Sequence, residues 1–332
     1  MEYTTFGKTG LEVSRLCLGC GGLSYSDEWE WSVGDRERSR AIVEAALDRG
    51  INFIDTANVY SYGESEEIVG EAIDGRRDEV VIASKVGQRL GDGPNRNGLS
   101  KSHIIEQCER SLDRLDTDHL DLYYAHWWDP DTDVAETLSA FDYLIEEGMV
   151  RYVGASNLTS WQLMDALRTS ERHDYERYVA VQPEYSLVAR HQELDLLPAA
   201  ERENLGVATY APLAAGFLTG EYTRDSDAAA LESGSEETYR DLSEYATEAN
   251  FDVVDAVRDI ADREGVHPVA VSVAWVLEQD AVDAPIVGPQ SIDHLDTYCD
   301  ALTVDLSPED VDRLAEPVEA AYTHADLPRT VR

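Results

Sequence analysis

Lysine is nearly missing from this chain: in 332 residues it occurs only at Lys8, Lys85 and Lys101. With 27 basic residues against 67 acidic ones, the net charge is −40. Nucleic acid and anionic membrane are polyanions, so neither is expected as a partner. The acids run along the whole chain rather than gathering in a tail, so the charge belongs to the surface as a whole. Such a surface repels itself in dilute salt and is tolerated where salt screens it. That is the halophilic pattern of proteins working in molar salt. The melting temperature is expected to rise with KCl. A thermal unfolding series from low to molar salt checks this, and a midpoint that does not move contradicts it.

Long apolar runs are also missing. No window reaches the roughly 18 consecutive apolar residues of a membrane span. The opening MEYTTFGKTG has neither the basic nor the apolar stretch of a secretory signal. Cysteine occurs four times, at Cys17, Cys20, Cys108 and Cys299. Cys17 and Cys20 have the C-x-x-C spacing of a redox pair or half a metal site. No second pair or nearby His completes a zinc site, so no metal is expected. Both sit in the apolar run LCLGC, where cysteine packs as a small hydrophobe. A reducing, cytoplasmic location follows.

What the chain does have is rhythm. Short apolar runs, rich in Val, Ile and Tyr, begin near positions 16, 51, 80, 120, 150, 178, 206 and 285. Each reads as a strand buried on both faces. Helical patterns alternate with them: Arg36–Asp48, Ser102–Leu112, Thr132–Glu147, Thr159–Thr169, Gln192–Asn204, Phe251–Glu264, Pro268–Glu278 and Ser291–Ala301. Strict alternation implies a parallel sheet with right-handed crossovers, and eight repeats imply a closed (β/α)8 TIM barrel. At this length the whole chain, 1–332, is expected to form one barrel domain. Residues 1–15 read as a hairpin plugging one barrel end. The polar stretch 213–250 follows strand seven and reads as a lid loop on the active face.

Chemistry in such barrels sits at the C-terminal strand ends. Strand two finishes at Asp55, with Tyr60 five residues on; strand three finishes at Lys85; strand four finishes at His126. A free tyrosine has a pKa of about 10, and a neighbouring ammonium lowers it. Lys85 can supply that charge, Asp55 can hold Lys85 by a buried ion pair, and His126 can orient a carbonyl oxygen. Each residue alone has a plain structural role available, but an unpaired lysine ending a buried strand is costly. Its retention in a chain that has almost discarded lysine is hard to explain otherwise.

These residues lie in blocks that resemble the aldo-keto reductase family: GINFIDTANVYSYGESEEIVGEAI, DEVVIASKVG, LDRLDTDHLDLYYAHWWDP, VRYVGASN, VQPEYSLVAR, YAPLAAGFLTG and PIVGPQSIDHL. The blocks cover nearly the whole chain in family order. The resemblance implies a nicotinamide-dependent enzyme that reduces aldehydes, ketones or sugars reversibly, with Tyr60 as general acid and Asp55, Lys85 and His126 as its partners. It further implies a cofactor lying across the barrel mouth. Ser156, Asn157 and Gln182 would hold the nicotinamide carboxamide, and Tyr210 would stack on the ring. Ala211, Pro212, Leu213, Gly216 and Leu218 would line the pyrophosphate path. Gly288, Gln290 and His294 would approach the adenosine.

The family's habit makes NADP(H) the expected cofactor. The stretch GPQSIDHLDTY carries no Lys or Arg for a 2′-phosphate, which favours cationic partners, so NAD(H) is the alternative. Tyr25, Trp29, Trp127 and Trp128 would wall the pocket for a small-molecule carbonyl or alcohol. Two alternatives stay open: a cofactor-sensing subunit of a membrane channel or transporter, and a dehydrogenase acting on alcohols or sugars.

Overall fold

The computed structural model describes residues 1–26, 32–226 and 242–318. Eight strands close a parallel barrel: β3 Cys17–Gly19, β4 Phe53–Asp55, β5 Val81–Val86, β6 Leu120–Ala125, β7 Val150–Ser156, β8 Tyr178–Gln182, β9 Gly206–Thr209 and β10 Ala284–Val287. Each pairs with the next, and β10 returns to β3 through Ile286 opposite Cys17. The eight apolar runs of the sequence are these eight strands.

Side chains alternate across a strand, and here the alternation splits the core in two. Phe53, Val81, Ala83, Leu122, Tyr124 and Ala180 fill the barrel interior. Ile54, Ile82, Val86, Tyr123 and Val181 face the surrounding helices. Continuing the inward rows by two residues reaches Asp55, Lys85, His126 and Gln182. Elementary strand periodicity thus delivers these four polar side chains to one end of the lumen.

The helical layer comprises α1 Arg36–Asp48, α2 Glu64–Ala72, α3 Lys101–Leu115, α4 Val134–Glu146, α5 Ser160–His173, α6 Leu196–Glu203, α7 Glu248–Glu264, α8 Pro268–Leu277, α9 Ile292–Asp300 and α10 Pro308–Ala315. Asp35, Asp133 and Ser291 cap their helices by accepting a backbone N–H. Two helices went unread in the sequence. In α2, three acids in the first turn and Gly70 dilute the apolar stripe of Ile68, Val69 and Ala72. Gly70 is needed because a Cβ there would lie 2.8 Å from the Arg114 carbonyl oxygen. The other, α10, begins at a Ser307–Asp310 capping box. Of the segment 213–250 read as a lid, short 3-10 turns occupy Ala214–Thr219 and Leu242–Tyr245, and α7 begins at Glu248. The segment's middle, 227–241, lies outside the described residues.

The hairpin of β1 Tyr3–Thr5 and β2 Glu12–Ser14 closes the N-terminal end of the barrel. Fully buried Phe6 packs edge-on against Phe53, centroids 5.3 Å apart. Gly7 makes this possible: its φ is +56, and a Cβ would come within 2.3 Å of the Gly206 nitrogen. Gly7→Ala is expected to cost about 2–4 kcal/mol through overpacking and left-handed strain. Urea unfolding measures the loss, and an unchanged midpoint would show that the hairpin does not seat there.

Candidate active site

The C-terminal mouth is assembled from strand ends and the turns leaving them. Lys85 is fully buried, and its ammonium donates to three oxygens. It pairs with Asp55 Oδ1, reaches the Thr56 carbonyl at 2.9 Å, and meets the Tyr60 hydroxyl at 3.0 Å. Asp55 Oδ2 accepts from Gln182 Nε2 at 2.7 Å, across 127 residues of sequence. The aspartate is thus bonded from two strands and cannot turn away from the lysine.

Tyr60 opens a short turn ending at Gly63, in which Ser61 and Tyr62 both take positive φ, 45° and 56°. Other non-glycine residues in this conformation gather at the same mouth: Asn157, Ala211, Ala214 and Ala215. Such strain persists only where surrounding structure holds it.

The electrostatics follow from burial. Desolvation alone would push Lys85 toward neutrality, but Asp55 and Tyr60 outweigh it and hold the ammonium above its ordinary range. For Tyr60, burial raises the phenol above its usual value, and the pull of Lys85 reduces that rise without reversing it. Lys85 thus lowers the phenol as expected, against a desolvation that raises it by more. Burial and the Lys85 charge drive His126 well below its ordinary value, so its imidazole is neutral. Its ring stands 6.0 Å from Tyr60, edge-on at 82°, and its buried Nδ1 has no hydrogen-bond partner among the described residues.

Ser156, Asn157, Gln182 and Tyr210 are brought together beside this group. Ser156 Oγ donates to the Gln182 carbonyl at 2.7 Å. Asn157 Nδ2 donates to the His126 carbonyl at 2.9 Å and to Ser156 Oγ at 3.0 Å, and Tyr210 donates to Asn157 Oδ1 at 2.8 Å. Downstream, Ala214, Ala215 and Gly216 in succession have positive φ. Two of their N–H groups are spent inside the turn, Ala214 on the Ala211 carbonyl at 2.9 Å and Gly216 on the Leu213 carbonyl at 3.0 Å. At Gly216 none of the described residues lies within 4 Å of a Cβ position. Pro212 and Leu213 are buried, and Leu218 is fully so; the Leu218 carbonyl accepts from Ser272. The Leu218 N–H in turn donates to the Leu213 carbonyl at 3.1 Å, so its backbone is engaged within the protein. Gly288 faces Gly19 across the β10–β3 seam, the nearest atom to its Cβ position being 4.0 Å away. Past it come Gln290 and His294, the latter exposed in the first turn of α9. Among the described residues, the open backbone at Gly216 and Gly288 and the polar side chains of Ser156, Asn157 and Tyr210 are compatible with a nicotinamide cofactor.

Trp127 stacks on His126, centroids 6.5 Å apart. Trp127 and Trp128 line one cleft with Leu99, Asp129, Ser156 and Leu158. Asp129 staples the two loops beside this cleft by accepting from the Leu99 nitrogen and Thr132 Oγ1, each at 2.7 Å. Trp161, which the sequence reading passed over, packs edge-on against Trp128 at 5.9 Å and is 59% exposed. Its place in the first turn of α5, just past the end of β7, is the signal that points to the mouth. Tyr25 is engaged elsewhere: its hydroxyl donates to Glu67 at 3.0 Å and Arg36 lies 4.7 Å over its ring. Trp29 lies outside the described residues. Among the described residues there is no cluster of metal-ligating side chains, and no helix is long and apolar enough to cross a membrane. All four cysteines are free, and burial raises the Cys17 and Cys20 thiols above their usual values.

Comparison with known proteins adds an independent line. The sequence model of the Aldo/keto reductase family matches residues 17–319. An uncharacterized oxidoreductase of Bacillus subtilis is 36% identical over 321 residues, 93% of each chain. A probable voltage-gated potassium channel subunit beta of Arabidopsis thaliana is 36% identical over 299 residues, 87% of each chain. A versiconal hemiacetal acetate reductase of Aspergillus parasiticus is 31% identical over 345 residues, covering 98% of this chain and 99% of its own.

Proposed function

The chain belongs to the aldo-keto reductase family, and from that premise we propose that it reduces aldehydes or ketones, sugars among them, to alcohols reversibly with Tyr60 as the general acid. At the coarser level it is an enzyme, an NAD(P)H-dependent oxidoreductase of carbonyl and alcohol substrates. The observation that carries the finer reading is the single ammonium of Lys85 bonded at once to Asp55 and to the Tyr60 hydroxyl.

The reduced nicotinamide, when bound, supplies the hydride. Tyr60 supplies the proton: its phenol, neutral at physiological pH, donates to the carbonyl oxygen as that oxygen gains charge. The phenolate left behind is stabilised by the ammonium 3.0 Å away until it is reprotonated from solvent. Asp55 keeps that ammonium charged and in place. Neutral His126 orients the carbonyl oxygen, and its depressed basicity leaves Tyr60 as the acid. Ser156, Asn157 and Gln182 would hold the carboxamide and Tyr210 the ring face. Ala211, Pro212, Leu213, Gly216 and Leu218 would line the pyrophosphate path, with Gly288, Gln290 and His294 toward the adenosine. NADP(H) is the proposed cofactor, with NAD(H) as the rival. Trp127 and Trp128 would wall the substrate side. The acidic surface supports work in concentrated salt, and the free cysteines support a reducing, cytoplasmic location.

A panel of aldehydes, ketones and sugars with NADPH and NADH in molar salt, followed at the nicotinamide absorbance band, tests this. Turnover of at least one carbonyl, faster with NADPH, is expected; none with either cofactor contradicts it. The likeness to a probable channel β subunit supports a second reading, a cofactor-sensing partner of a membrane protein. Absent turnover combined with co-purification of a membrane complex would favour that reading.

A further inference from the structure

Behind the Tyr60 turn lies a buried charge that the proton-donor scheme does not use. Glu66, in the first turn of α2, is fully buried. Its Oε1 accepts from Ser84 Oγ at 2.5 Å. Its Oε2 accepts from Arg114 of α3 through Nε at 2.7 Å and Nη2 at 2.6 Å. Ser84 directly precedes Lys85 on β5, and alternation sends its side chain to the opposite face. Glu66 therefore grips the Lys85 strand from its outer side.

Arg114 grips the turn itself. Gly63 ends that turn with φ +103, and a Cβ there would come within 2.6 Å of both Cδ and Nε of Arg114. The same helix holds the approach to the turn, where Asn58 Nδ2 donates to Gln107 Oε1 at 3.0 Å. Ser65, beside Glu66, bonds Thr56 Oγ1 and the Cys20 carbonyl, each at 2.8 Å. Thr56 is the residue whose carbonyl accepts from Lys85. The left-handed Ser61 and Tyr62 make such support necessary. An apolar pair would fill this space with comparable stability, so an ion pair here is better explained by the geometry it enforces.

We propose that the Glu66–Arg114 pair is a positioning device, locking the Tyr60 turn against the Lys85 strand so that phenol and ammonium stay in contact. The proposal rests on the reading of Tyr60 as proton donor.

Three variants test it in both the Tyr60 and the Tyr60→Phe backgrounds: Arg114→Ala, Arg114→Lys, and the double change Glu66→Gln with Arg114→Met. The double change removes both charges while keeping volume, so it serves if Arg114→Ala does not fold. In the Tyr60 background, kcat for carbonyl reduction is expected to fall about 100-fold in Arg114→Ala and the double variant, as for a misplacement near 1 Å. The KM for cofactor stays unchanged, and Arg114→Lys recovers part of the rate. In the Tyr60→Phe background the same changes add nothing, because they act through the phenol. Independently of turnover, cofactor-free protein carrying 13C at tyrosine Cζ reports the Tyr60 titration, which shifts upward when the phenol drifts from Lys85. Equal losses in both backgrounds, or an unmoved Tyr60 titration in folded variants, would overturn the proposal. If Tyr60→Phe alone kept full turnover, the proton-donor reading would fail, and the titration would still decide whether the pair holds the phenol in place.

Discussion

Replacing Tyr60 by Phe is expected to lower carbonyl reduction by about 10²–10⁴-fold, the usual contribution of a positioned general acid, while leaving cofactor affinity unchanged. The substitution deletes one oxygen and keeps the ring. The edge contact with His126 at 6.0 Å is retained, as is the ring lying 4.8 Å from the Lys85 ammonium. What disappears is the hydroxyl that Lys85 contacts at 3.0 Å. Lys85 keeps Asp55 and the Thr56 carbonyl as partners, so the loss in stability is that of a single hydrogen bond to a charged group, about 1.5–3 kcal/mol at most. Steady-state kinetics with a fluorescence titration of cofactor binding separates the two effects. Turnover retained within a few-fold would remove Tyr60 from the mechanism.

Lys85→Met is expected to have the second large effect, on activity and on stability together. The methionine fills similar volume but leaves Asp55 buried without its cation. Breaking a buried pair on one side costs roughly 3–5 kcal/mol, against a total stability of about 5–15 kcal/mol for a typical domain. Unfolding in molar salt measures it. Activity falls as well, because the phenolate formed during reduction loses its counter-charge and the Tyr60 pKa rises further. The companion change Asp55→Asn in the Lys85→Met background separates the two consequences. Removing the orphaned carboxylate should restore much of the stability and none of the rate. A single variant with parental activity would contradict the role given to Lys85, as would a double variant that regains turnover.

The barrel was legible because eight apolar runs alternate with helical patterns, and because a charged or imidazole side chain stands near the C-terminal end of three of the runs. Asp55, Lys85 and His126 are those residues, and the inward rows of the strands carry them to one mouth. Less legible was whatever depends on contacts distant in sequence. The Gln182–Asp55 bond spans 127 residues, and nothing local to either end indicates it. Nothing local marks Glu66 and Arg114 as partners; only the packing of α2 on α3 sets a half-buried Arg114 against the buried carboxylate. The Tyr60 phenol shows the same limit in energetic form. The sequence reveals a lysine able to lower its pKa, but the desolvation that outweighs the lysine is a property of the assembled mouth. Tyr25 looked like a pocket wall by position, and its engagement with Glu67 and Arg36 depends on how α1 meets α2.

The pH dependence of the two directions, measured on one preparation in molar salt, tests the central claim most directly. With a neutral Tyr60 phenol held above its usual range and an unprotonated His126, kcat/KM for carbonyl reduction should stay level through neutral pH and fall only along an alkaline limb. Alcohol oxidation needs the phenolate and should rise along that same limb, with a shared midpoint. A reduction profile that instead collapses between about pH 6 and 7, where an ordinary histidine titrates, would contradict the account and make an imidazolium the acid.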